Sequence, residues 1–168
     1  MTVAQAFDPP LLRRVFGNFP SGVAALAALV DRQPTGIAAS SFTSVSLDPA
    51  LVLVCVAHSS NTWPLLSRSE RLGISVLSAD QQEACRRLSS RDRDRFFGLS
   101  WWATDRGAVL LHGASAWFEC SIAQQSEAGD HDVVLLNVHD LDGDHSVAPL
   151  VFHASQFKRL EPAPRTGT

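Results

Sequence analysis

The chain has little of what marks a nucleic-acid-binding, membrane-spanning or secreted protein. Its 14 lysine and arginine residues are outnumbered by 17 aspartate and glutamate residues, so a net charge of -3 provides no basic field for nucleic acid. No apolar run approaches the ~18 residues of a membrane span. The first ten residues lack the basic start and apolar segment of a secretion signal. We therefore expect no nucleic-acid partner and no membrane partner.

Cysteine is also scarce. The three cysteines, Cys55, Cys85 and Cys120, are odd in number, form no CxxC pair and stand within apolar or amphipathic segments. That pattern predicts buried free thiols rather than a disulfide framework. Because free thiols suit a reducing compartment, we expect a cytoplasmic protein.

The broad catalytic signatures are missing as well. The sequence has no GxGxxG, no GxxxxGK[ST], no HExxH and no GxSxG. None of the six histidines stands at metal-ligand spacing from another, and the acidic segment 140–145 lacks the closing glutamate of a calcium loop. We expect no metal site and interpret 140–145 as a solvated hairpin turn.

What the sequence does contain is enough apolar material for one globular domain. Hydrophobic residues make up 45% of the 168 residues and charged residues 18%, which excludes general disorder. We predict a single domain over 1–168, with its core in 8–160. The proline-rich segment 161–168 is expected to be a flexible tail.

Three short helices are predicted. Pro9 and Pro10 precede an amphipathic segment at 11–19, which Gly17 helps to end. A second helix is predicted within 59–69, where serines are candidate N-caps. A third follows Ser78 and Gln81, which have capping-box spacing.

The remaining apolar segments predict strands. Segment 50–58 is almost wholly apolar, as expected of a strand buried on both faces. Few helices and no regular β–α alternation favour a mainly β, antiparallel, Greek-key-like barrel over a doubly wound sheet. The predicted strands are 22–30, 35–47, 50–58, 71–78, 113–125, 131–141 and 149–157.

Short motifs along residues 10 to 160 resemble one known family. The most informative are Ser21-Gly22-Val23, Gly36 through Phe42, and Ser44-Val45-Ser46-Leu47-Asp48-Pro49. In this order, they resemble the flavin reductase family with the FMN-binding split-barrel fold. Weaker matches follow at Ile74-Ser75-Val76-Leu77, Arg95-Phe96, Gly113 through Cys120, Gly129-Asp130-His131 and Pro149-Leu150-Val151-Phe152.

The resemblance implies an enzyme that transfers hydride from NADH or NADPH to FMN or FAD. It further implies that reduced flavin leaves for a separate oxygenase component, and that the chain forms a homodimer. His131 is then the candidate catalytic residue. The candidate cofactor-binding residues are Ser21, Gly36, Ala38, Ala39, Ser40, Ser41, Ser46, Cys55, Ala57, His58, Ser59, Ser60, Thr62, Arg95, Phe96, Phe152 and His153.

Part of this candidate site can also be argued from the chemistry of its residues, apart from the resemblance. The small residues of 38–41 allow backbone to approach a flat ligand, and their N–H and hydroxyl groups can donate to ring carbonyls. A solvent-facing strand rich in serine has the same composition. Ser59, Ser60 and Thr62 stand at a predicted helix start, where hydroxyls and free N–H groups suit a phosphate. The same serines could simply cap that helix.

Other candidates have equally open roles. His131 could contact a nicotinamide carboxamide or could be structural. Phe152 could line the pocket or pack in the core. Segment 86–95 contains five arginines and two aspartates, so it could steer nucleotide phosphates or form a solvated loop of ion pairs. Trp101 and Trp102 could cover the pocket or a subunit interface.

Two other functions remain open on this barrel. One is a flavin oxidase of the pyridoxamine-phosphate type, which needs basic residues for its substrate phosphate although Lys158 is the only lysine. The other is a flavin- or haem-binding module without catalysis. The sequence does not distinguish FMN from FAD or NADH from NADPH.

Overall fold

The computed structural model describes residues 7–161, and the end of the predicted tail lies outside this range. Three helices are present within it: α1 (Pro9–Phe16), α2 (Trp63–Leu66) and α3 (Gln82–Ser89). Each lies in a segment where the sequence predicts a helix. None of the described helices is long and apolar enough to cross a membrane.

Strands form most of the described structure, as predicted. In chain order they are β1 (Ser21–Gly22), β2 (Ala24–Val30), β3 (Gln33–Ala39), β4 (Thr43–Leu47), β5 (Ala50–Ala57), β6 (Leu72–Val76), β7 (Trp101–Ala103), β8 (Val109–Leu111), β9 (Ala116–Ala128), β10 (His131–Gly143), β11 (Val151–His153) and β12 (Gln156–Lys158). All of their pairings are antiparallel.

The main sheet curls because its two edge strands follow each other in the chain. Its seven strands run in the order β3-β2-β6-β9-β10-β5-β4. Only residues 40–42 connect edge strand β3 to edge strand β4, so the two edges must lie close together. The Ser41 hydroxyl donates to the Cys55 carbonyl at 3.0 Å and accepts from the Cys55 N–H at 2.9 Å. These bonds fix the connecting segment on β5 and complete a barrel.

The core has two layers, one on each face of β2. Ala24, Leu26 and Ala28 face the barrel interior, whereas Ala25 and Ala27 face a second cluster that includes α3 and β8. Strand β2 is therefore buried on both faces over most of its length. The prediction of that property for 50–58 was wrong, because residues alternate between buried and half-buried along β5.

Two segments predicted as single strands contain a turn. Residues 35–47 divide into β3 and β4, and 149–157 divide into β11 and β12. The second turn has Ala154 and Ser155 at φ of 48° and 62°, a left-handed conformation that asparagine and glycine adopt more readily. Strands β7 and β8 were not predicted, and together they form a separate two-stranded sheet.

The helix α3 packs as its sequence predicts. The Gln81 side chain accepts the Ser78 N–H at 3.0 Å, but the N-cap residue of α3 is Gln81 and makes no side-chain capping bond, so the predicted capping box is not formed. Its apolar residues Ala84, Cys85 and Leu88 are buried.

The three cysteines are free thiols, as predicted, although only two of them are buried. Burial raises the pKa of Cys120 to about 12. This thiol therefore stays protonated at neutral pH. Cys55 is half-buried on β5.

Candidate functional site

A cleft of about 640 Å³ is present in the described residues. It lies between β3, the end of β5, the loop that follows β5, and the segment after α3. We call it the main cleft. Its lining residues are Ile37, Ala38, Val56, Ala57, Ser59, Ser60, Asn61, Thr62, Leu88, Ser89, Ser90, Arg91 and Arg95.

All charged residues that line the main cleft are positive. Arg91 and Arg95 line it, and no lining residue is an aspartate or glutamate. Arg95 donates to the backbone carbonyls of Gly36 and Leu88 at 3.2 and 3.3 Å, so its guanidinium is fixed between β3 and α3. A cleft with these groups favours an anionic ligand.

The loop 58–62 adds free donors to the same cleft. Within residues 7–161, the backbone N–H groups of Ser59, Asn61 and Thr62 have no acceptor. The Ser60 hydroxyl is already engaged, because it accepts the Trp63 N–H at 3.1 Å. The helix α2 that follows has only four residues, so its dipole is small. An anion at this loop would therefore contact N–H and hydroxyl groups rather than a helix dipole. The Ser60 hydroxyl bonds the first N–H of α2, and Thr62 is the N-cap residue.

An apolar pocket of about 260 Å³ adjoins the main cleft at Ala38 and Ser89. It includes the predicted residues Ser40 and Phe152. The Phe152 ring packs against Phe157 with centroids 5.6 Å apart. The pocket thus extends the polar cleft with an apolar surface. Its other lining residues are Val23, Cys85 and Arg86.

The structure brings six predicted residues together in the main cleft: Ala38, Ala57, Ser59, Ser60, Thr62 and Arg95. Gly36 and Phe96 line a second cleft beside it. Phe96 is nevertheless only 5% exposed, because it belongs to the outer core cluster and its ring packs edge-on against Trp101. Trp102 packs in the same manner against Trp117.

Six further predicted residues lie elsewhere. Ala39 packs against the barrel core, and Ser41, in the segment 40–42, is hydrogen-bonded to the backbone of Cys55 on β5. Ser21 pairs with Phe152 in the small sheet, where His153 is the next residue. Ser46 pairs with Leu51, six residues along β5 from Ala57, so it lies roughly 20 Å from the main cleft of its own chain.

Two histidine–aspartate pairs border the loop 58–62. His131 pairs with Ala57 across β10 and β5, and its Nδ1 lies 2.7 Å from Asp130 Oδ1. His58 Nε2 lies 3.0 Å from Asp132 Oδ1. Hydrogen bonds from His131 and from His58 hold the pKa of Asp130 and of Asp132, respectively, below the ordinary aspartate value. His131 therefore lies beside the main cleft, at the edge formed by Ala57.

Sequence reasoning missed several lining residues. Asn61 lies between Ser60 and Thr62, which were predicted to bind phosphate, so its place in that segment could have identified it. Ser89, Ser90 and Arg91 follow α3, where composition alone does not show which side chains face the cleft. The arginines of 91–95 do not form the ion pairs that a solvated loop would have, since none of them lies within 4 Å of a carboxylate of the described residues.

An antiparallel barrel with a carboxylate-free, arginine-lined cleft beside small strand residues defines a β-barrel protein whose cleft suits an anionic ligand. Comparison with known proteins makes this specific. The profile of the flavin reductase like domain matches residues 16–161, and the chain belongs to the flavin reductase family. This confirms the resemblance of the motifs.

Individual relatives cover nearly the whole chain. A flavin reductase of Pseudomonas putida is 38% identical over 156 residues, which are 92% of each chain. The reductase subunit HsaB of a flavin-dependent monooxygenase from Rhodococcus jostii is 36% identical and matches 95% of this chain and 82% of its own. The NADH:FAD oxidoreductase SgcE6 of Streptomyces globisporus, solved in complex with NAD and FAD fragments, is 36% identical, with a TM-score of 0.86 over 95% of this chain and 99% of that one. The predicted split-barrel fold is thereby confirmed.

Proposed function

We propose that this chain is an NADH-dependent reductase of free FMN or FAD that supplies reduced flavin to a separate monooxygenase. The observation that carries the proposal is the main cleft, in which free N–H groups and arginines meet small strand residues and no carboxylate. Relatives named as flavin reductases and as a monooxygenase reductase subunit support the same activity.

The loop 58–62 would hold the flavin phosphate. Its three free N–H groups and the hydroxyls of Ser59 and Thr62 are donors, and Arg91 adds a positive charge at the cleft wall. Charge-assisted hydrogen bonds of this kind are roughly twice as strong as neutral ones. The residues present therefore fit a phosphorylated ligand.

The flat ring system would lie over β3 toward the apolar pocket. Ala38 borders both cavities and carries only a methyl group, so the backbone of β3 is accessible there. Phe152 offers an apolar surface beside it. Bound flavin would supply the redox chemistry by accepting hydride from the nicotinamide, while these residues orient the two rings.

His131 would act at the edge of the cleft. Asp130 accepts a hydrogen bond from its Nδ1, which leaves Nε2 to face a ligand. In this position the imidazole can orient a nicotinamide carboxamide or hold a proton near the flavin ring. No other acid or base is required of the protein.

A homodimer is part of the proposal. Leu51, Leu53 and Cys55 on β5 are half-buried and face outward beside Val133 and Leu135 of β10. An apolar strip of this kind on a barrel surface fits a second copy of the chain. The three free thiols support a cytoplasmic location.

The test is NADH oxidation by the purified protein with added FMN or FAD, together with flavin binding by fluorescence quenching. We expect turnover with wild-type protein. Ala38→Leu should weaken flavin binding about tenfold or more, because the larger side chain fills the cleft. The exposed Val45→Leu is the matched control and should bind flavin normally. Absence of NADH oxidation with both flavins would refute the proposed activity.

A further inference from the structure

The loop 58–62 is attached to the start of β10 through its first residue. The backbone N–H of His58 donates to the Asp130 carbonyl at 3.0 Å, and its side-chain Nε2 lies 3.0 Å from Asp132 Oδ1. Within residues 7–161, the other hydrogen bonds of this loop connect it only to Ala57 and to α2. His58 is therefore the residue that fixes the loop against β10.

The carboxylate that holds His58 is itself fixed. Gln125 on β9 donates from Nε2 to Asp132 Oδ2 at 2.7 Å, so each oxygen of this carboxylate has one hydrogen-bond partner. The Asp132 side chain is only 19% exposed, and a hydrogen bond to a charge that is partly shielded from water is stronger than one in open solvent. Two paired strands of the barrel thus provide a rigid anchor for the loop.

His58 lies outside the lining of the main cleft, although the four residues that follow it, 59–62, all belong to that lining. His58 instead lines a groove of about 310 Å³ together with Asp132, Gln125 and Trp63 of α2. Loop residues therefore border two cavities. Without the His58–Asp132 bond, the loop has open space in which to move away from the main cleft.

The free donors of the loop depend on this placement. The N–H groups of Ser59, Asn61 and Thr62 have no acceptor within residues 7–161, so no hydrogen bond of their own fixes the direction in which they point. Donors that already point at an anion bind it more tightly, because the loop does not have to be ordered when the ligand binds.

We propose that His58 is a positioning residue for the flavin phosphate: it contacts no ligand, and through Asp132 it holds the N–H groups of the loop 58–62 toward the main cleft. This inference rests on the proposed function, since it assumes that the phosphate lies at this loop. The same anchor fixes the loop relative to His131, the residue that precedes Asp132 on β10.

The experiment compares FMN with riboflavin, which has the same ring system but no phosphate. The dissociation constants of the oxidised flavins are measured by fluorescence quenching, without NADH. His58→Ala should weaken FMN binding about tenfold and change riboflavin binding less than about twofold. His58→Gln should restore most of the FMN affinity, because its side-chain amide can donate to Asp132.

The matched control is His139→Ala. It removes an exposed histidine whose Nε2 lies 2.7 Å from the Ser121 hydroxyl on the same sheet, away from the loop. This variant should bind both flavins as the wild-type protein does.

Asp132→Ala separates a positioning role from an effect of charge. Removal of a carboxylate near a phosphate would, by charge alone, strengthen FMN binding. The positioning role predicts the opposite, a loss of FMN affinity about as large as that of His58→Ala. In the double variant the two losses should not add, because both substitutions remove the same hydrogen bond.

Three results would overturn the inference. The first is a His58→Ala protein that keeps the wild-type ratio of the two dissociation constants, whether both flavins bind normally or both bind weakly. The second is an Asp132→Ala protein that binds FMN more tightly than the wild type, and the third is a His58→Gln protein as weak as His58→Ala. If the wild-type protein binds the two flavins equally, the proposed phosphate site fails. If it binds neither, the proposed function fails.

Discussion

Ser41 and Ser60 are hydroxyl residues near the same cleft, but each is engaged with backbone. Ser41 makes two hydrogen bonds to Cys55, and Ser60 accepts the Trp63 N–H. Both were predicted to bind cofactor, because a serine-rich motif does not reveal which hydroxyls the fold itself uses. Ser59 and Thr62, which make no such bond within the described residues, are the hydroxyls available to a ligand.

The Ser41 bonds lead to a stability prediction. Ser41→Ala should lower the free energy of unfolding by about 1–3 kcal/mol, because the Cys55 N–H and carbonyl each lose a partner in a half-buried place. Urea denaturation measures this loss. Ser44→Ala, at an exposed position on β4, is the control and should change stability little. A Ser41→Ala protein as stable as wild type, but unable to bind flavin, would instead assign this hydroxyl to the ligand.

The His58–Asp132 pair predicts a pH dependence. Hydrogen bonds from His58 and then from Gln125 lower the pKa of Asp132 below 3.8. A carboxylate whose pKa is lower in the folded state stabilises the protein above its unfolded pKa. That contribution disappears as the pH falls through the folded pKa.

Asp132→Asn should therefore reduce stability at neutral pH, and the difference from wild type should shrink as the pH falls below 3.8. Thermal unfolding across a series of acidic buffers measures it. Asp94→Asn, which removes a carboxylate with no hydrogen bond among residues 7–161, provides the comparison. A stability difference between Asp132→Asn and wild type that stays the same in acid would contradict the attribution of this difference to the ionised Asp132 carboxylate.

Among the elements, β6 and β8 lie in close contact at Gly73. A Cβ placed there would lie 2.1 Å from the Val109 carbonyl oxygen, which is backbone and cannot rotate away. Gly73→Ala should therefore prevent stable folding or cost several kcal/mol. Gly22→Ala is the control, because a Cβ at Gly22 meets nothing within 4 Å. Circular dichroism and soluble yield distinguish the two, and a well-folded Gly73→Ala protein would show that the contact can relax.

Element types were more predictable from sequence than the breaks between them. Every predicted helix and strand segment contains the expected element, since apolar periodicity decides which face is buried. The turn at 40–42 contains Ser-Ser-Phe and the turn at 154–155 contains Ala-Ser, so neither carries the glycine, proline or asparagine that marks a turn. Strands β7 and β8, which were not predicted, have three residues each, too few to show a period.

The site depends on contacts that sequence spacing does not contain. Ala38, Ser59 and Arg95 come from β3, a loop and the segment after α3, and only the folded barrel places them together. Family motifs identified these residues. They did not show that Phe96 is buried or that Ser46 lies far from the cleft within one chain.

For the whole molecule, the outward face of β5 and β10 predicts self-association. Leu53→Glu should convert the proposed dimer to monomer, since a charge buried at an apolar interface without a partner costs several kcal/mol. Sedimentation analysis measures the mass in solution. Gln33→Glu, on an exposed position of β3, introduces the same charge elsewhere and should leave the dimer intact. A wild-type protein that sediments as a monomer would refute the dimer directly.

The segment that joins the two edges of the barrel is continuous with the wall of the main cleft. Ala38 precedes it on β3, and Ser40 within it lines the apolar pocket. A ligand bound there would contact the segment 40–42, which connects the two edge strands of the sheet. Ligand binding in the cleft and the stability of the barrel are then thermodynamically linked. A ligand that binds only the native state, at a concentration of a hundred times its Kd, adds about 2.7 kcal/mol to the free energy of unfolding.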